Sequence, residues 1–357
     1  MDFRLTFILA LLLVTSTTPA DEHQPYATFQ SITYSKPLAI KALADDWEPP
    51  FYGGDRALTY DKIEAGVRWR GWQLGILERY DYLMEFSAQT AEFVYLIKNR
   101  IPLQPGREYQ IYLKAIHNRS QGIRLGRTYK FTSTLSGGLA LAYLRSKAFT
   151  DGTLWGSARA SAEKDYDFQF DTDYVYSRDV LFDRHVDAPI GQGFNLDLSL
   201  AWQPSEAVTA QLDIIDLAGR MYWDEAPYTL ATASSDTKSF DEQGYVRYDP
   251  VISGFESDKR FIQTLPRKTF LAAQYRYSDE FEAVMEYRDF QIQHFTSIGV
   301  GWRYKQKHHF QTLYTPTTNA LTLRYLRGKL HLELSADHVK INRIRYFTLQ
   351  LSYNYTL

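Results

Sequence analysis

The sequence predicts an all-β fold, a transmembrane antiparallel up-and-down β-barrel of about 14–16 strands. Three observations predict it. The last twelve residues, Tyr346 to Leu357, alternate apolar and polar side chains up to the chain end. Alternating segments of roughly 9–12 residues, the length of a tilted membrane strand, recur from Asp61 onward. No stretch after Val14 is long and apolar enough for a transmembrane helix, whereas a barrel strand needs an apolar residue only at every second position.

The first twenty residues have the features of a signal peptide. Arg4 supplies a short basic region, and Leu5 to Val14 form an apolar core that is too short to span a bilayer as a helix. Thr18 and Ala20 fit the small-residue rule for a cleavage site. We therefore expect export, with cleavage of segment 1–20 after Ala20.

Composition excludes several classes of function. The formal net charge is only −2, so nothing indicates nucleic-acid binding. Cysteine is absent, which removes thiol catalysis and thiolate metal sites. We expect no cofactor and no metal. The 27 Tyr, 21 Phe and 7 Trp residues suit the two interfacial girdles of a barrel.

Turn signals divide the chain into sixteen expected strands, although fourteen fit nearly as well. We place them near residues 62–70, 72–81, 107–116, 122–132, 137–146, 153–163, 165–177, 192–203, 206–216, 268–278, 281–289, 293–304, 308–314, 320–327, 329–338 and 344–357. Outer-membrane barrels have short turns on the periplasmic side and longer loops outside. With the C-terminus in the periplasm, the short turns fall inside over most of the chain.

Three segments do not follow the strand rhythm. We predict that residues 21–60 form an N-terminal periplasmic segment ahead of a barrel domain over 61–357. Residues 84–105 are compatible with a helix, which the strand count places on the periplasmic side. Residues 217–268 form a long outer loop that either folds into the lumen or makes an exposed hairpin.

The C-terminal pattern Leu351-x-Tyr353-x-Tyr355-x-Leu357 resembles the terminal signature of Gram-negative outer-membrane β-barrel proteins. That group usually ends on Phe, and this chain ends on Leu357. The resemblance covers class and architecture over residues 61–357 and identifies no single family. It implies location in the cell outer membrane, contact with its lipid bilayer, and insertion by the barrel-assembly machinery.

Strand parity points many charged side chains into the expected lumen. The set comprises Glu64, Arg68, Arg70, Arg79, Asp167, Asp171, Asp173, Asp197, Asp213, Glu282, Glu286, Arg288, Arg303, Arg324, Glu333 and Asp337. Charges on a wet inner face can line a pore and select solutes by sign. We therefore expect a porin-like channel for polar small solutes, and we assign no catalytic residue.

Two further functions stay open, and a soluble periplasmic β-protein is the alternative fold. In the first, charges pair across the lumen and hold together a non-conducting barrel. Such a barrel would anchor a surface or envelope complex, with segments 21–60 and 84–105 docking a periplasmic partner. In the second, Asp183, His185 and Asp187 in the outer loop act as a hydrolase, because a His beside carboxylates can activate water.

Overall fold

The computed structural model describes residues 23–353, apart from 236–237, 249–250 and 306. Within these residues it shows two α-helices, α1 (Ile40–Ala44) and α2 (Ala88–Lys98), and a 3₁₀ turn at Ile341–Arg343. The strands are β1 (Gln24–Ser35), β2 (Arg56–Trp69), β3 (Trp72–Phe86), β4 (Glu108–Lys130), β5 (Leu135–Ala162), β6 (Asp165–Tyr176), β7 (Gly191–Trp202), β8 (Val208–Ser234), β9 (Lys238–Phe240), β10 (Val246–Tyr248), β11 (Val251–Thr264), β12 (Lys268–Arg276), β13 (Phe281–Asp289), β14 (His294–Tyr304), β15 (His308–Thr315), β16 (Ala320–Arg327), β17 (Leu330–Ala336) and β18 (Tyr346–Tyr353).

Fourteen antiparallel strands close the barrel within the described part of the chain. Their order around the wall is β1-β2-β3-β4-β5-β7-β8-β12-β13-β14-β15-β16-β17-β18. Closure comes from β1 and β18, which pair from Ala27 opposite Tyr353 to Tyr34 opposite Tyr346. The all-β barrel expected from the sequence is confirmed, with fourteen strands rather than sixteen.

The two ends of the barrel differ. We call the end at which β18 finishes the turn end, because tight connections such as Arg70–Gly71 and 328–329 lie there. We call the opposite end the loop end. It carries residues 36–55 with α1, residues 87–107 with α2, and the loop 337–345. Among the described residues, no helix is long and apolar enough to cross a membrane.

Two rows of the wall are single strands interrupted by an excursion. In the first row, Tyr176 of β6 lies opposite Thr150 of β5, and Gly191 of β7 lies opposite Ser146 of the same strand. Residues 177–190 therefore leave the row and return to it a few residues further on. In the second row, β11 and β12 follow each other along β8 in the same direction.

These long rows raise one side of the wall above the rest. The tall side is the sheet of β4, β5, β6, β8 and β11, in which β5 runs for 28 residues and β8 for 27. The α2 helix covers the outer edge of β4: Thr90 Oγ1 accepts from Tyr112 N at 2.9 Å and Gln89 Oε1 from Gln110 N at 2.6 Å. The opposite edge of β11 has no strand partner within the described residues.

The outer wall carries an apolar belt. Along the lower half of β5, Leu139, Leu141 and Tyr143 are exposed by 41–53%, while Ala142 and Leu144 are buried. Similar outward apolar residues on the other strands include Ile76, Ile123, Phe194, Ile298, Val300, Leu321, Leu323 and Leu334. Such a belt around a closed barrel matches the hydrocarbon layer of a membrane, since lipid is itself apolar.

Several boundary predictions are wrong, for reasons visible in the register. Segment 24–35 is β1 and not part of a separate N-terminal segment. The expected strands 107–116 and 122–132 form a single strand, β4 (Glu108–Lys130). The expected strands 137–146 and 153–163 form a single strand, β5 (Leu135–Ala162). Segments 165–177 and 192–203 belong to one row. Adding β1 and merging three pairs of expected strands changes the number of strands from sixteen to fourteen.

The same errors explain the position of the helix. Residues 84–105 do contain the helix α2, but splitting β4 reversed the direction assigned to β3. The helix therefore lies at the loop end, opposite the side that was expected. Residues 217–268 form a hairpin of β8 and β11 with the small β9–β10 ribbon, which is the exposed-hairpin alternative. The signal peptide 1–20, Tyr355 and Leu357 lie outside the described residues.

Candidate functional site

A cluster of four charged side chains crosses the middle of the lumen. Arg79 Nη1 lies 2.7 Å from Asp216 Oδ1, and Arg79 Nε donates to Asp81 at 2.7 Å. Lys268 Nζ donates to Asp216 at 2.9 Å and also to Asp81. Four strands lie between β3 and β12 along the shorter way around the wall. We call Arg79, Asp81, Asp216 and Lys268 the cross-lumen cluster, because it joins distant parts of the wall.

The cross-lumen cluster is fully removed from water. Its four residues are at most 3% exposed. Two acids and two bases balance each other, and this balance allows such charges to be buried, since an unpaired charge in this position would cost several kcal/mol. The planar guanidinium of Arg79 meets both oxygens of Asp216, which is the strongest geometry for a carboxylate.

An apolar cluster fills the lumen on the loop-end side of these charges. Tyr60 of β2 and Phe290, directly after β13, have ring centroids 6.5 Å apart, although six strands separate β2 from β13 in either direction. Tyr34 and Phe295 meet edge to face at 5.3 Å. Opposite walls are thus in contact. Tyr60 also joins the two clusters, because Lys268 Nζ lies 4.8 Å from its ring centroid.

A cavity of about 420 Å³ occupies the lumen on the turn-end side. Its lining includes Tyr26, Lys62, Glu64, Arg124, Asp197, Asp213, Phe270, Arg288, Arg324 and Glu333. Thr128, which also lines the cavity, is exposed to solvent near the end of β4, so water enters from the turn end. The lumen is therefore an open cavity in its turn-end half and is closed by side chains in its loop-end half.

Most charges of the cavity wall are paired. Glu64 lies 2.7 Å from Lys62 Nζ and accepts from the Tyr26 hydroxyl at 2.6 Å. This approach requires glycine at position 75, where an added Cβ would lie 2.3 Å from the Tyr26 oxygen. On β17, which β18 and β1 separate from β2, Glu333 lies 2.7 Å from Arg288 and 2.5 Å from Arg324. The network fixes the side chains that shape the cavity.

The structure places eleven of the sixteen expected lumen residues on inward positions of the barrel. They are Glu64, Arg68, Arg79, Asp197, Asp213, Glu282, Glu286, Arg288, Arg303, Arg324 and Glu333. The other five lie elsewhere. Arg70 is exposed in the turn between β2 and β3, and Asp337 binds backbone N–H groups in the loop after β17. Asp167, Asp171 and Asp173 belong to β6, above the barrel proper.

Sequence reasoning missed three of the four residues that close the lumen. Asp81 is the last residue of its expected strand. Asp216 follows the regular part of β8 with φ 58°, where the register to β7 shifts, and Lys268 is the first residue of β12. All three stand at an end residue of an expected strand, where the sequence pattern defines the strand boundary least well.

The loop 177–190 does not bring together the three residues of the hydrolase alternative. Asp183, His185 and Asp187 are exposed at alternate positions, and no hydrogen bond or ion pair among the described residues joins them. Among the same residues, no group of three or more His, Cys, Asp or Glu side chains is placed to hold a metal ion.

Asp179 holds this loop in place. Its carboxylate accepts from the Tyr174 hydroxyl at 2.7 Å and from the N–H groups of Leu181 and Phe182 at 3.0 and 2.9 Å. Burial acts to raise the pKa of Asp179, but these donors outweigh it and the pKa lies below its ordinary value. The acid is therefore structural.

No protein-family model and no curated protein sequence matches the chain. Several solved structures are similar to this chain. The toluene transporter TodX of P. putida is 10% identical with a TM-score of 0.40, covering 95% of this chain and 91% of that one. A FadL homologue of Pseudomonas aeruginosa is 10% identical with a TM-score of 0.31, covering 94% and 91%. The outer-membrane protease OmpT of Escherichia coli is 10% identical with a TM-score of 0.25, covering 95% and 98%.

Proposed function

We propose that this protein is an outer-membrane channel for small polar solutes and that the present conformation is its closed state. The observation that carries the proposal is the water-accessible, charged cavity that leads from the turn end to the cross-lumen cluster and stops there. The turn end faces the periplasm if the C-terminus does, as in other barrels of this kind.

The chemistry of the closure supports a gate. The loop-end half of the lumen shows that this barrel can be filled with apolar side chains. Ionisable groups at membrane depth are costly, and where they occur they mark solute pathways by default. The contacts of the cross-lumen cluster are made by four side chains, so rotation of these side chains would break them while the strands of the wall stay hydrogen-bonded.

The direct test is planar-bilayer conductance of the refolded mature chain, residues 21–357. The variants Asp216→Asn and Lys268→Met each remove one member of the cross-lumen cluster. We expect rare openings for the parent protein and frequent stepwise openings for both variants. Heat-modifiable migration in gels confirms that each variant folds, and Asp187→Asn on the exposed loop is the matched control.

A second candidate is a permanently closed barrel that anchors or supports an envelope complex. The contacts of Tyr60 with Phe290 and of Tyr34 with Phe295 favour it, because they close the lumen independently of the charges. The tall sheet at the loop end offers a surface for a partner. Folded variants that never conduct, including Phe290→Ala combined with Asp216→Asn, would establish this candidate and reject the channel.

A further inference from the structure

One acid of the cavity differs from the others. Glu64, Asp197, Glu286 and Glu333 each form an ion pair with a lysine or arginine of the same wall. Asp213 lines the cavity but forms no ion pair within the described residues. Its carboxylate accepts a single hydrogen bond, from Gln211 Nε2 at 2.8 Å. A carboxylate has room for about four donors, so most of its capacity is open toward the cavity.

An aromatic ring lies beside this acid. Phe270 is the cross-strand partner of Asp213 on β12 and lines the same cavity. Its ring is held in an edge-to-face contact with Phe290, the centroids 5.8 Å apart, so its position is fixed. A carboxylate next to an aromatic face offers an organic cation two attractive interactions, charge pairing with the carboxylate and contact with the ring quadrupole.

From this arrangement we infer that the cavity binds a small alkylammonium compound, with Asp213 as its counter-charge and Phe270 as its apolar contact. The volume of about 420 Å³ lies within the range of small-molecule sites. Lys62 and Arg124 also line the cavity, but they pair with Glu64 and Asp197, so Asp213 is left to attract a cation. The inference rests on the proposed function for how the ligand travels, but binding itself requires only entry from the turn end.

The test measures binding, not conductance. The probes are n-butylammonium and butyrate, which match in size and differ in charge, added to the refolded full mature chain in a zwitterionic detergent. Titration calorimetry or ligand-observed NMR gives the dissociation constants. We expect n-butylammonium to bind and butyrate not to bind. Asp213→Asn should weaken n-butylammonium binding at least tenfold, and Asp213→Glu should largely restore it.

Two controls make the outcome decisive. Asp187→Asn, at the loop end, should leave the dissociation constant unchanged. Phe270→Leu keeps an apolar side chain and should weaken binding about threefold if the ring contributes. Equal binding of both probes, or unchanged binding by folded Asp213→Asn protein, would overturn the inference.

The proposed channel and the proposed binding site can be rejected independently of each other. Specific n-butylammonium binding in a protein that never conducts rejects the proposed passage and keeps the site. Conductance without ammonium binding keeps the channel and rejects the site.

Discussion

Arg79 of β3 and Asp216 of β8 face each other with two parallel contacts, although three strands lie between them along the shorter way around the wall. The pair spans 137 residues of sequence. It closes the lumen at mid-height, since two charged groups removed from water join distant parts of the wall.

The first prediction concerns the stability of this pair. Asp216→Asn leaves Arg79 and Lys268 buried with less negative charge, so we expect a loss of about 3–5 kcal/mol in the free energy of unfolding. The measurement is urea unfolding in detergent. Glu78→Gln breaks the exposed pair between Arg119 and Glu78 and should cost about 0–1 kcal/mol. Equal effects of the two substitutions would contradict the role of the cross-lumen cluster.

The second prediction concerns the apolar closure. Phe290 is 1% exposed and touches the rings of Tyr60, Phe270 and Phe295. Phe290→Ala should cost about 3–5 kcal/mol, because it removes buried surface and leaves a cavity. Phe255→Ala on β11, where the side chain is 60% exposed, is the control and should cost far less. Similar losses in urea unfolding would show that the opposite walls do not depend on this contact.

The third prediction concerns the loop 177–190. Asp179→Asn replaces a carboxylate that accepts from one hydroxyl and several backbone N–H groups, so the loop should loosen and trypsin should cut faster at Arg178 or Arg184. Asp183→Asn changes an exposed acid of the same loop and should leave the cleavage rate unchanged. Cleavage at the parent rate in Asp179→Asn would refute the anchoring role.

The same acid gives a pH dependence, and its sign is fixed. The folded pKa of Asp179 lies below the unfolded value of about 3.9. The contribution of Asp179 to the stability of the loop is therefore complete above about pH 4, and it disappears as the pH falls through the folded pKa. An acid-stable protease such as pepsin should cut the loop of the parent protein increasingly as the pH drops below 4. Asp179→Asn should lose this dependence.

The fourth prediction concerns the covered edge of β4. Thr90 Oγ1 accepts from Tyr112 N–H, and Thr90 N–H donates to the capping Ser87 Oγ at 2.9 Å. Thr90→Val removes the hydroxyl acceptor and should cost about 1–3 kcal/mol locally. Hydrogen exchange of the Tyr112 amide should then accelerate at least fivefold. Thr90→Ser keeps the hydroxyl and should exchange at nearly the parent rate.

Membrane-facing strands were predictable because one face meets lipid and the other meets the lumen. Leu139, Leu141 and Tyr143 show this alternation, and the expected strand 137–146 coincides with this part of β5. The signal fades where a strand rises above the belt, as between Leu113 and His117 of β4, where neighbouring residues on both faces are partly buried. The single strand was therefore divided in two.

The strand β1 was missed for a different reason. Its outward residues include Ala27, Ser31 and Thr33, which are small or polar, so the lipid-facing pattern is weak. The inward charges followed from parity, as Glu333 and Arg324 show. The ion-pair partners of inward charges could not be predicted from parity. Contacts such as that of Lys268 with Asp81 join residues 187 positions apart and depend on the closed wall. No local pattern encodes which opposite wall a side chain will reach.

The interrupted row of β6 and β7 has a consequence for how this surface can change over evolutionary time. Because residues 177–190 leave the row at Tyr176 and rejoin it at Gly191, insertions in that excursion alter neither the strand number nor the stagger that closes the barrel. The excursion at the loop end can thus change in length and sequence, while the lumen stays under its own, separate constraint.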